Sequence, residues 1–313
     1  MKKKWIKWLA AAVLLISPAA SASETITLML DWFPNVDHLP VYVARHRGLF
    51  EKAGLDVRIV SPSETSDALK LAASGNVDIA VSYTPQTVIA AARGLDVAAV
   101  GRLIAHPLTT ILFLRGKGIE TPADLSGRRI GYTVPGLMDV MLEAFAAING
   151  VRDHTPVNVG FAIVQSLAAG KVDAVMGPFK TYETVEMRHR GYDVGYFELE
   201  KHGIPDYDEL IFVCSRKTLD LKGEKVAAFV RAVDAAISQM RADPEKAFQE
   251  YLKEVPEADP KTESEAFRLT LPYFAAGQAH DPKRWQAFAD FALAHKLIAR
   301  PVDAARLLHT VGP

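Results

Sequence analysis

The stretch Leu28–Arg45, LMLDWFPNVDHLPVYVAR, sets the organisation of the rest of the chain. It begins within a short apolar strand that we predict over Ile26–Leu30. It continues as a loop with two aspartates, a tryptophan, an asparagine and a histidine, and it restarts as a helix near Pro40. A polar and aromatic loop between a strand and a helix is the layout of a ligand site at the carboxyl end of a sheet strand. The stretch therefore predicts a binding site in an α/β fold.

Strand and helix patterns alternate along the chain after this stretch. Short runs of β-branched and other apolar residues predict strands over Leu55–Val60, Val77–Ser82, Val97–Leu103, Thr109–Leu114, Arg129–Thr133, Val172–Met176, Tyr192–Glu198 and Asp208–Cys214. Capping residues and amphipathic spacing predict helices over Pro40–Ala53, Asp67–Ser74, Thr84–Arg93, Leu137–Ile148, Phe161–Ala169 and Phe179–His189, with a shorter one from Thr121. This alternation favours a parallel or mixed sheet that is covered by helices on both faces.

The last third of the chain, from Leu221 to Gly312, differs because nearly all of it has helical spacing. The pattern predicts helices over Val226–Met240, Pro244–Leu252, Lys261–Phe274, Pro282–His295 and Val302–Leu308. We expect this helical part to pack back on the first part of the chain.

A short pattern occurs twice. The segments Ala73–Asp78 and Ala168–Asp173 both run from a helix end through glycine, a polar residue, valine and aspartate into an apolar strand. Helix–glycine–strand units are common, so coincidence is one explanation. Together with the alternation, the repeat suggests two lobes of related topology, with Thr109–Leu114 and Leu210–Cys214 as the strands that cross between them.

The first residues have the features of a secretory signal peptide. Four lysines precede the apolar run Trp8–Ile16, and Ala20–Ala22 matches an A-x-A cleavage site, so we expect the mature chain to start at Ser23. The alternative is an uncleaved anchor, although the apolar run is too short to span a bilayer. The expected division is residues 1–22 as the leader, 23–111 as lobe 1, 112–212 as lobe 2, and 213–313 as a return to lobe 1.

The net charge limits the kinds of partner that we expect, and the cysteine content limits the possible disulfides. The formal net charge of −1 becomes −5 once the four lysines of the leader are removed, and no basic block remains. Nucleic acid and anionic membrane surfaces are therefore not expected partners. The single cysteine, Cys214, cannot form an internal disulfide, so the exported protein relies on its core.

Little in the sequence indicates catalysis. The chain has nine histidines, but none are paired at a spacing typical of metal ligands, so we predict no metal site. Nucleophile-elbow, phosphate-loop and dinucleotide motifs are absent from the sequence, and we expect no cofactor. Asp31 and Asp37 could act as an acid–base pair, but a better interpretation is that Asp31 fixes its loop by bonding to backbone N–H groups.

Aromatic and amide side chains instead gather where predicted strands end. Trp32 and Asn35 follow the strand that ends near residue 30. Ser82, Tyr83 and Gln86 lie at the end of the strand near residue 82, and Phe179, Tyr182 and Glu183 follow the strand that ends near residue 176. Each aromatic residue alone would also suit a core position. As a set they suit a flat heteroaromatic ligand, because aromatic faces stack on its ring and amide or carboxyl groups pair with its edge.

The segment Leu30–Arg45 resembles the L-[DN]-W-x-P-N-x-x-H signature of the thiamine-pyrimidine-precursor group of periplasmic binding proteins, within the sulfonate-, nitrate- and taurine-binding class. Further matches follow in the same order: GLFEKAGLDV (Gly48–Val57), DALKLAASGNVDIAVSYTPQ (Asp67–Gln86), LSGRRIGY (Leu125–Tyr132), KVDAVMG (Lys171–Gly177) and GIPDYDELIF (Gly203–Phe212). The resemblance implies the type II periplasmic binding protein fold, with two doubly wound α/β lobes joined by a two-strand hinge. It also implies a monomer in the periplasm that captures hydroxymethylpyrimidine or formylaminopyrimidine for an ABC permease and its ATPase.

The resemblance also implies site residues. The matching positions are Trp32, Asn35 and His38 in the signature loop, Ser82 and Tyr83 after the second strand, and Glu183 in a segment that is G-G-Y-W-x-x-E in the importers. Here that segment has Pro178, Phe179 and Lys180 in place of Gly, Tyr and Trp. The new cation could point to solvent or could meet an anionic group of the ligand.

Two alternatives stay open. One is a binder of another solute, such as an alkylsulfonate, nitrate or a flavin. The other is an enzyme like the fungal hydroxymethylpyrimidine phosphate synthase, for which the resemblance would require a cysteine-rich iron motif. The corresponding stretch here, Leu210–Cys214, supplies a single cysteine, which favours a binding protein over an enzyme.

Overall fold

The computed structural model describes residues 24–309, and the signal peptide predicted over residues 1–22 lies outside them. The strands are β1 (Glu24–Met29), β2 (Leu55–Val60), β3 (Ile79–Ser82), β4 (Ala98–Ile104), β5 (Thr109–Leu114), β6 (Arg129–Tyr132), β7 (Thr155–Asn158), β8 (Ala174–Phe179), β9 (Val194–Glu198) and β10 (Leu210–Cys214). The helices are α1 (Leu39–His46), α2 (Leu49–Lys52), α3 (Asp67–Ala73), α4 (Thr84–Ala92), α5 (Met138–Asn149), α6 (Ile163–Ala168), α7 (Glu183–His189), α8 (Arg216–Ala242), α9 (Pro244–Glu254), α10 (Pro260–Thr270) and α11 (Pro282–Ala294). None of these helices has the length and apolar character needed to cross a membrane.

The strands form two five-stranded sheets with matching order. The first is β2-β1-β3-β10-β4 and the second is β7-β6-β8-β5-β9. In each sheet one strand, β10 or β5, runs antiparallel to both of its neighbours. On one side of it three strands pair in parallel, which are β3, β1 and β2 in the first sheet and β8, β6 and β7 in the second. We call the first sheet with its helices lobe 1 and the second sheet with its helices lobe 2.

The repeated sequence pattern has the same structural role in both lobes. The Asp78 carboxylate accepts a hydrogen bond from Thr27 N at 2.8 Å, which joins β3 to β1. The Asp173 carboxylate accepts one from Arg129 N at 2.9 Å, which joins β8 to β6. The predicted likeness between the lobes is therefore present in both strand order and local bonding.

The borders predicted after residues 111 and 212 fall inside strands. β5 pairs along its length with β8 and β9, and β10 pairs along its length with β3 and β4. Because both strands belong to a sheet, the passages, which are the segments where the chain crosses between the lobes, are residues 105–108 and 199–209 instead. Glu209 ties these passages together, because its buried carboxylate accepts from Thr109 N and Thr109 Oγ1, both at 2.8 Å, and from Leu108 N.

Several predicted helices begin or end elsewhere. The helix predicted over Pro40–Ala53 is interrupted at Gly48, whose φ of +63° breaks the helical path between α1 and α2. The helix predicted from Phe179 begins only at Glu183, because β8 continues through Phe179. The segment predicted as a helix over Val302–Leu308 contains only a short 3₁₀ turn, and strand β7 was missed.

The carboxy-terminal helices pack on lobe 1. α8 and α9 lie against α1, and α8 also contacts α2 and β4. The helices α9, α10 and α11 each begin with Asp-Pro, in which the aspartate caps the first backbone N–H groups and the proline takes the first helical position. At the centre of this packing, the Phe229 ring lies 5.4 Å from that of Phe50 and 5.1 Å from that of Phe212.

Candidate functional site

A small cleft lies between the two lobes, at the carboxyl ends of β1, β3, β6 and β8. It is lined by Asp31, Trp32, Asn35, Asp37, His38, Tyr83, Thr133, Ile163, Gly177, Phe179, Glu183 and Leu210. Six of the nine residues predicted from the sequence lie on this lining: Trp32, Asn35, His38, Tyr83, Phe179 and Glu183. The parallel strands of both lobes thus end at one shared cleft.

Asp31 organises the wall that lobe 1 contributes. Its Oδ1 atom lies 2.8 Å from His38 Nε2, and its Oδ2 atom accepts from the Tyr83 hydroxyl at 2.6 Å. All three side chains are buried. Asp31 does fix the loop, but through these side chains rather than through the backbone N–H groups that the sequence analysis expected.

The next turn of the same loop presents a second carboxyl group. Asn35 Oδ1 accepts from Asp37 N at 2.9 Å and so caps the 3₁₀ turn Val36–His38. Asp37 Oδ1 accepts from the Thr270 hydroxyl at 3.0 Å. Asp37 Oδ2 and His38 Nδ1 are buried without a hydrogen-bond partner in the described part of the chain. Burial raises the pKa of Asp37 to about 7, against the opposing effects of His38 and Thr270.

Lobe 2 supplies the opposite wall from the end of β8 and the start of α7. Glu183 Oε2 accepts from Phe179 N at 2.7 Å, so the segment between them forms a tight loop. Burial raises the pKa of the Glu183 carboxyl to about 7. Gly177 has a φ of +127°, and a Cβ atom there would collide with the Thr133 side chain. This wall therefore depends on backbone conformations that only glycine adopts readily.

Three predicted site residues do not line the cleft. Ser82 is fully buried, and its hydroxyl donates to Gln86 Oε1 at 2.8 Å, so these two residues satisfy each other. Tyr182 is not on this lining but on that of a neighbouring pocket, and its hydroxyl donates to Glu263 Oε1 at 2.7 Å. The assignment of Ser82, Gln86 and Tyr182 to the cleft surface is corrected accordingly, because each side chain is held by a partner behind the wall.

Lys180, the unexpected cation, also lies away from the cleft. Its Nζ atom lies 2.9 Å from Glu198 Oε2 and 2.7 Å from Glu200 Oε1, and it stands 5.2 Å from the centre of the Tyr273 ring. Burial alone would lower the pKa of Lys180, but hydrogen bonds to the two glutamates raise it above its ordinary value. Lys180 is thus a partner in a structural ion pair rather than a group of the ligand wall.

Sequence reasoning missed part of the lining. Thr133, Ile163 and Leu210 come from three different segments and had no motif that marked them. Asp31 and Asp37 were noticed, but only Asp31 was given a role. A usable signal was available for Thr133, because it ends a predicted strand, and Trp32 and Tyr83 also lie close to predicted strand ends.

An aromatic contact closes the mouth of the cleft. The Phe161 ring of lobe 2 lies 4.6 Å from the Trp32 ring and 4.5 Å from the Phe33 ring of lobe 1. Phe33 remains 51% exposed. The lobes are therefore close together in this structure, with Trp32 between the cleft and the outer surface.

The lining has a clear electrostatic character. It contains three carboxyl groups and one histidine, and no lysine or arginine lies on it. Among residues 24–309, no histidine, cysteine or carboxylate side chains are grouped to hold a metal ion. Such a cleft suits a flat, neutral or cationic ligand that donates hydrogen bonds to carboxyl groups and stacks on aromatic faces.

Comparison with known proteins gives consistent relatives. A protein of Haemophilus influenzae named for thiamine biosynthesis is 36% identical, over 92% of both chains. The formylaminopyrimidine-binding protein of Halalkalibacterium halodurans is 32% identical, over 90% of this chain and 89% of its own. A 4-amino-5-hydroxymethyl-2-methylpyrimidine phosphate synthase of Saccharomyces cerevisiae is 28% identical, over 85% of this chain and 81% of its own.

The fold and the family follow from two further matches. A solved structure from Candida albicans, described as having the generic periplasmic binding protein fold, superposes with a TM-score of 0.72 at 16% identity, over 93% of this chain and 97% of its own. The family model described as NMT1/THI5 like matches residues 35–247. The chain therefore has the periplasmic binding protein fold and belongs to the NMT1/THI5-like family.

Proposed function

We propose that this protein is the solute-binding component of an ABC importer and that it captures a thiamine pyrimidine precursor of the hydroxymethylpyrimidine or formylaminopyrimidine type. The observation that carries the proposal is the composition of the cleft, in which aromatic side chains stand beside carboxyl groups and no lysine or arginine lies on the lining. The relative named for binding formylaminopyrimidine, which matches along nearly the whole chain, supports the same ligand class.

The ligand chemistry follows from the two walls. An aminopyrimidine has a flat ring, an exocyclic amine that donates hydrogen bonds, and ring nitrogens that accept a proton. Trp32 and Phe179 offer apolar faces from opposite lobes. A carboxyl with a pKa near 7, such as Glu183 or Asp37, can accept from the amine and share a proton with a ring nitrogen.

Capture and delivery are proposed to follow from lobe closure. The ligand binds first to the loop of lobe 1, and rotation at the two passages then brings the wall of lobe 2 over it. The contact of Phe161 with Trp32 and Phe33 would seal the closed form. We propose that a permease in the membrane recognises that form, with the protein in the periplasm and the permease and its ATPase as its partners.

Two alternatives are less well supported by the site. An anionic solute such as an alkylsulfonate or nitrate would meet Asp37 and Glu183 and would find no lysine or arginine on the lining. An iron-dependent synthase would need several cysteines, and Cys214 is a buried thiol in β10 whose pKa is raised by burial to about 12. A buried thiol of this kind is a packing residue.

Titration calorimetry of the exported protein tests the proposal. We expect hydroxymethylpyrimidine or formylaminopyrimidine to bind, and nitrate and alkylsulfonates to give no heat. Trp32→Ala and Glu183→Ala should each abolish binding without unfolding the protein, because they remove a stacking face and the pairing carboxyl. Gln86→Ala is the matched control, since Gln86 lies near the same strand ends but not on the cleft lining.

Unchanged affinity in both Trp32→Ala and Glu183→Ala would overturn the site assignment. Turnover of a pyrimidine on addition of iron and pyridoxal phosphate would support the enzyme alternative instead. Native mass spectrometry of the protein purified from its host adds a direct readout, because a retained small molecule would reveal its mass.

A further inference from the structure

The helix α10 lies behind the cleft, in the carboxy-terminal part of the chain that packs on lobe 1. Glu263 is on this helix and is only 2% exposed. Its Oε2 atom accepts from Val36 N at 3.0 Å and from the Tyr251 hydroxyl at 3.3 Å, and its Oε1 atom accepts from the Tyr182 hydroxyl at 2.7 Å. A buried carboxylate with three donors is well satisfied in this arrangement.

The partners of Glu263 stand directly beside the ligand walls. Val36 lies between Asn35 and Asp37, which line the cleft from lobe 1, and Tyr182 precedes Glu183, which lines it from lobe 2. The bond from Tyr182 to Glu263 therefore crosses between the lobes. When the lobes separate, this bond has to break, whereas the bond from Val36 lies within one lobe.

Resting on the function proposed above, we propose that Glu263 is a positioning residue, which joins the two ligand walls from behind and holds the lobes closed around the solute. It does not touch the solute. It acts through Val36 and Tyr182. The bond between Tyr182 and Glu263 exists only when the lobes are closed, so losing it destabilises the closed form relative to the open form and weakens binding.

A second set of contacts between the lobes lies on the same helix and provides a matched control. Glu265 pairs with Arg188 and with His189, each at 2.8 Å. The side chains of these three residues are more exposed than that of Glu263, and none of the three is next in sequence to a residue of the cleft lining. Ion pairs in such positions contribute little, so removing this one should affect closure only slightly.

The first test measures the rates of pyrimidine binding by tryptophan fluorescence. Of the four tryptophans of the chain, Trp5 and Trp8 are in the predicted leader and Trp285 is fully buried in lobe 1, so a change on binding reports Trp32. For Tyr182→Phe and Glu263→Ala we expect the dissociation rate to rise roughly 10- to 100-fold, the usual effect of leaving a buried hydrogen-bonding group without its partner. The association rate should change much less.

Conservative and control variants separate positioning from general stability. Glu263→Gln keeps one acceptor oxygen and should give an intermediate dissociation rate, while Glu265→Gln should stay within about threefold of the unaltered protein. In the double variant Tyr182→Phe, Glu263→Ala, the effects should not add, because both changes remove the same bond. Fully additive effects, or a normal dissociation rate in Tyr182→Phe, would overturn the proposal.

A second readout does not depend on pyrimidine binding. Cysteines introduced at the exposed positions Lys70 on lobe 1 and Lys171 on lobe 2 carry a pair of distance labels, since the native Cys214 is buried. Without any ligand, the unaltered protein should already populate the closed form to a measurable fraction, and Tyr182→Phe and Glu263→Ala should lower that fraction, while Glu265→Gln should not. If the protein fails to bind pyrimidines but shows this decrease, the proposed solute is wrong and the role of Glu263 stands; if the distances do not change, the role of Glu263 is wrong.

Discussion

The two walls of the cleft are built in different ways. The wall of lobe 1 is a loop whose side chains and backbone are tied to distant parts of the chain, as in the contacts of Asp31 with Tyr83 and of Asp37 with Thr270. The wall of lobe 2 is held mainly by local features, which are the backbone of Gly177 and the bond from Phe179 N to Glu183. The first wall is thus rigid before the ligand arrives, and the second takes its shape from the backbone and from lobe closure.

The strongest test of this difference between the walls is a change in the backbone of the lobe 2 wall. Gly177→Ala places a Cβ atom inside the Thr133 side chain, at a φ of +127° that side chains rarely adopt. We expect the free energy of unfolding to fall by roughly 3 kcal/mol or more, and pyrimidine affinity to fall by at least 100-fold. Urea denaturation and calorimetry on the same samples measure both quantities.

Gly48→Ala is the control for the first prediction. Gly48 also has a positive φ, but its Cβ would lie 3.5 Å from the nearest side-chain atom, and it is far from the cleft. The cost there should be only the strain of the left-handed conformation, roughly 1–2 kcal/mol, with normal affinity. If the two alanine variants behaved alike, the second wall would not owe its shape to Gly177.

The two walls can also be compared by how pH affects stability, because each wall contains a buried carboxyl group, Asp37 in lobe 1 and Glu183 in lobe 2. Burial raises the pKa of Asp37 from 3.8 to about 7 and that of Glu183 from 4.5 to about 7. Between about pH 4 and 7 these two groups therefore hold more protons in the folded protein than in the unfolded chain, and their contribution to stability should fall as the pH rises through that range. Above pH 7 each group is a buried charge that the fold has to tolerate.

Asp37→Asn and Glu183→Gln should remove this cost. At pH 8 we expect each variant to be more stable than the unaltered protein by roughly 1–3 kcal/mol, with weaker pyrimidine binding. At pH 5 the differences in stability should be small, because the native carboxyls are then protonated. Urea denaturation at both pH values checks the sign, and a loss of stability at pH 8 in both variants would show that the charges are compensated.

The comparison also explains what the sequence could reveal. The bounds predicted for Leu55–Val60 and Thr109–Leu114 match β2 and β5, because alternating or continuous apolar runs specify a strand locally. The loop of lobe 1 was recognised for the same reason, since its motif is contiguous. Strand β8 was ended too early because Gly177 and Pro178 usually mark a turn. It continues because β6 pairs with β8 only as far as Met176, so the missing N–H of proline costs nothing there.

The misassigned site residues depended on partners that are distant in sequence. Tyr182 was placed in the cleft because it follows a strand and is aromatic, but its hydroxyl is held by Glu263, 81 residues away. Ile163 and Leu210 reach the lining through packing between separate segments. Local pattern specifies which strand ends meet, whereas the direction of each side chain there is decided by long-range contacts.

Lys180 provides the smallest expected effect and the finest test of the second wall. Its side chain is 8% exposed and pairs with Glu198 and Glu200, which are 18% and 24% exposed. Lys180→Met should lower the free energy of unfolding by roughly 1 kcal/mol, because two partly buried carboxylates lose a partner, while calorimetry should find pyrimidine affinity within twofold of normal. Lys201→Met, at a more exposed lysine that pairs only with Glu198, is the control and should change neither quantity. A tenfold change of affinity in Lys180→Met alone would mean that this cation, and not only the backbone at Gly177 and the Glu183 carboxyl, shapes the second wall.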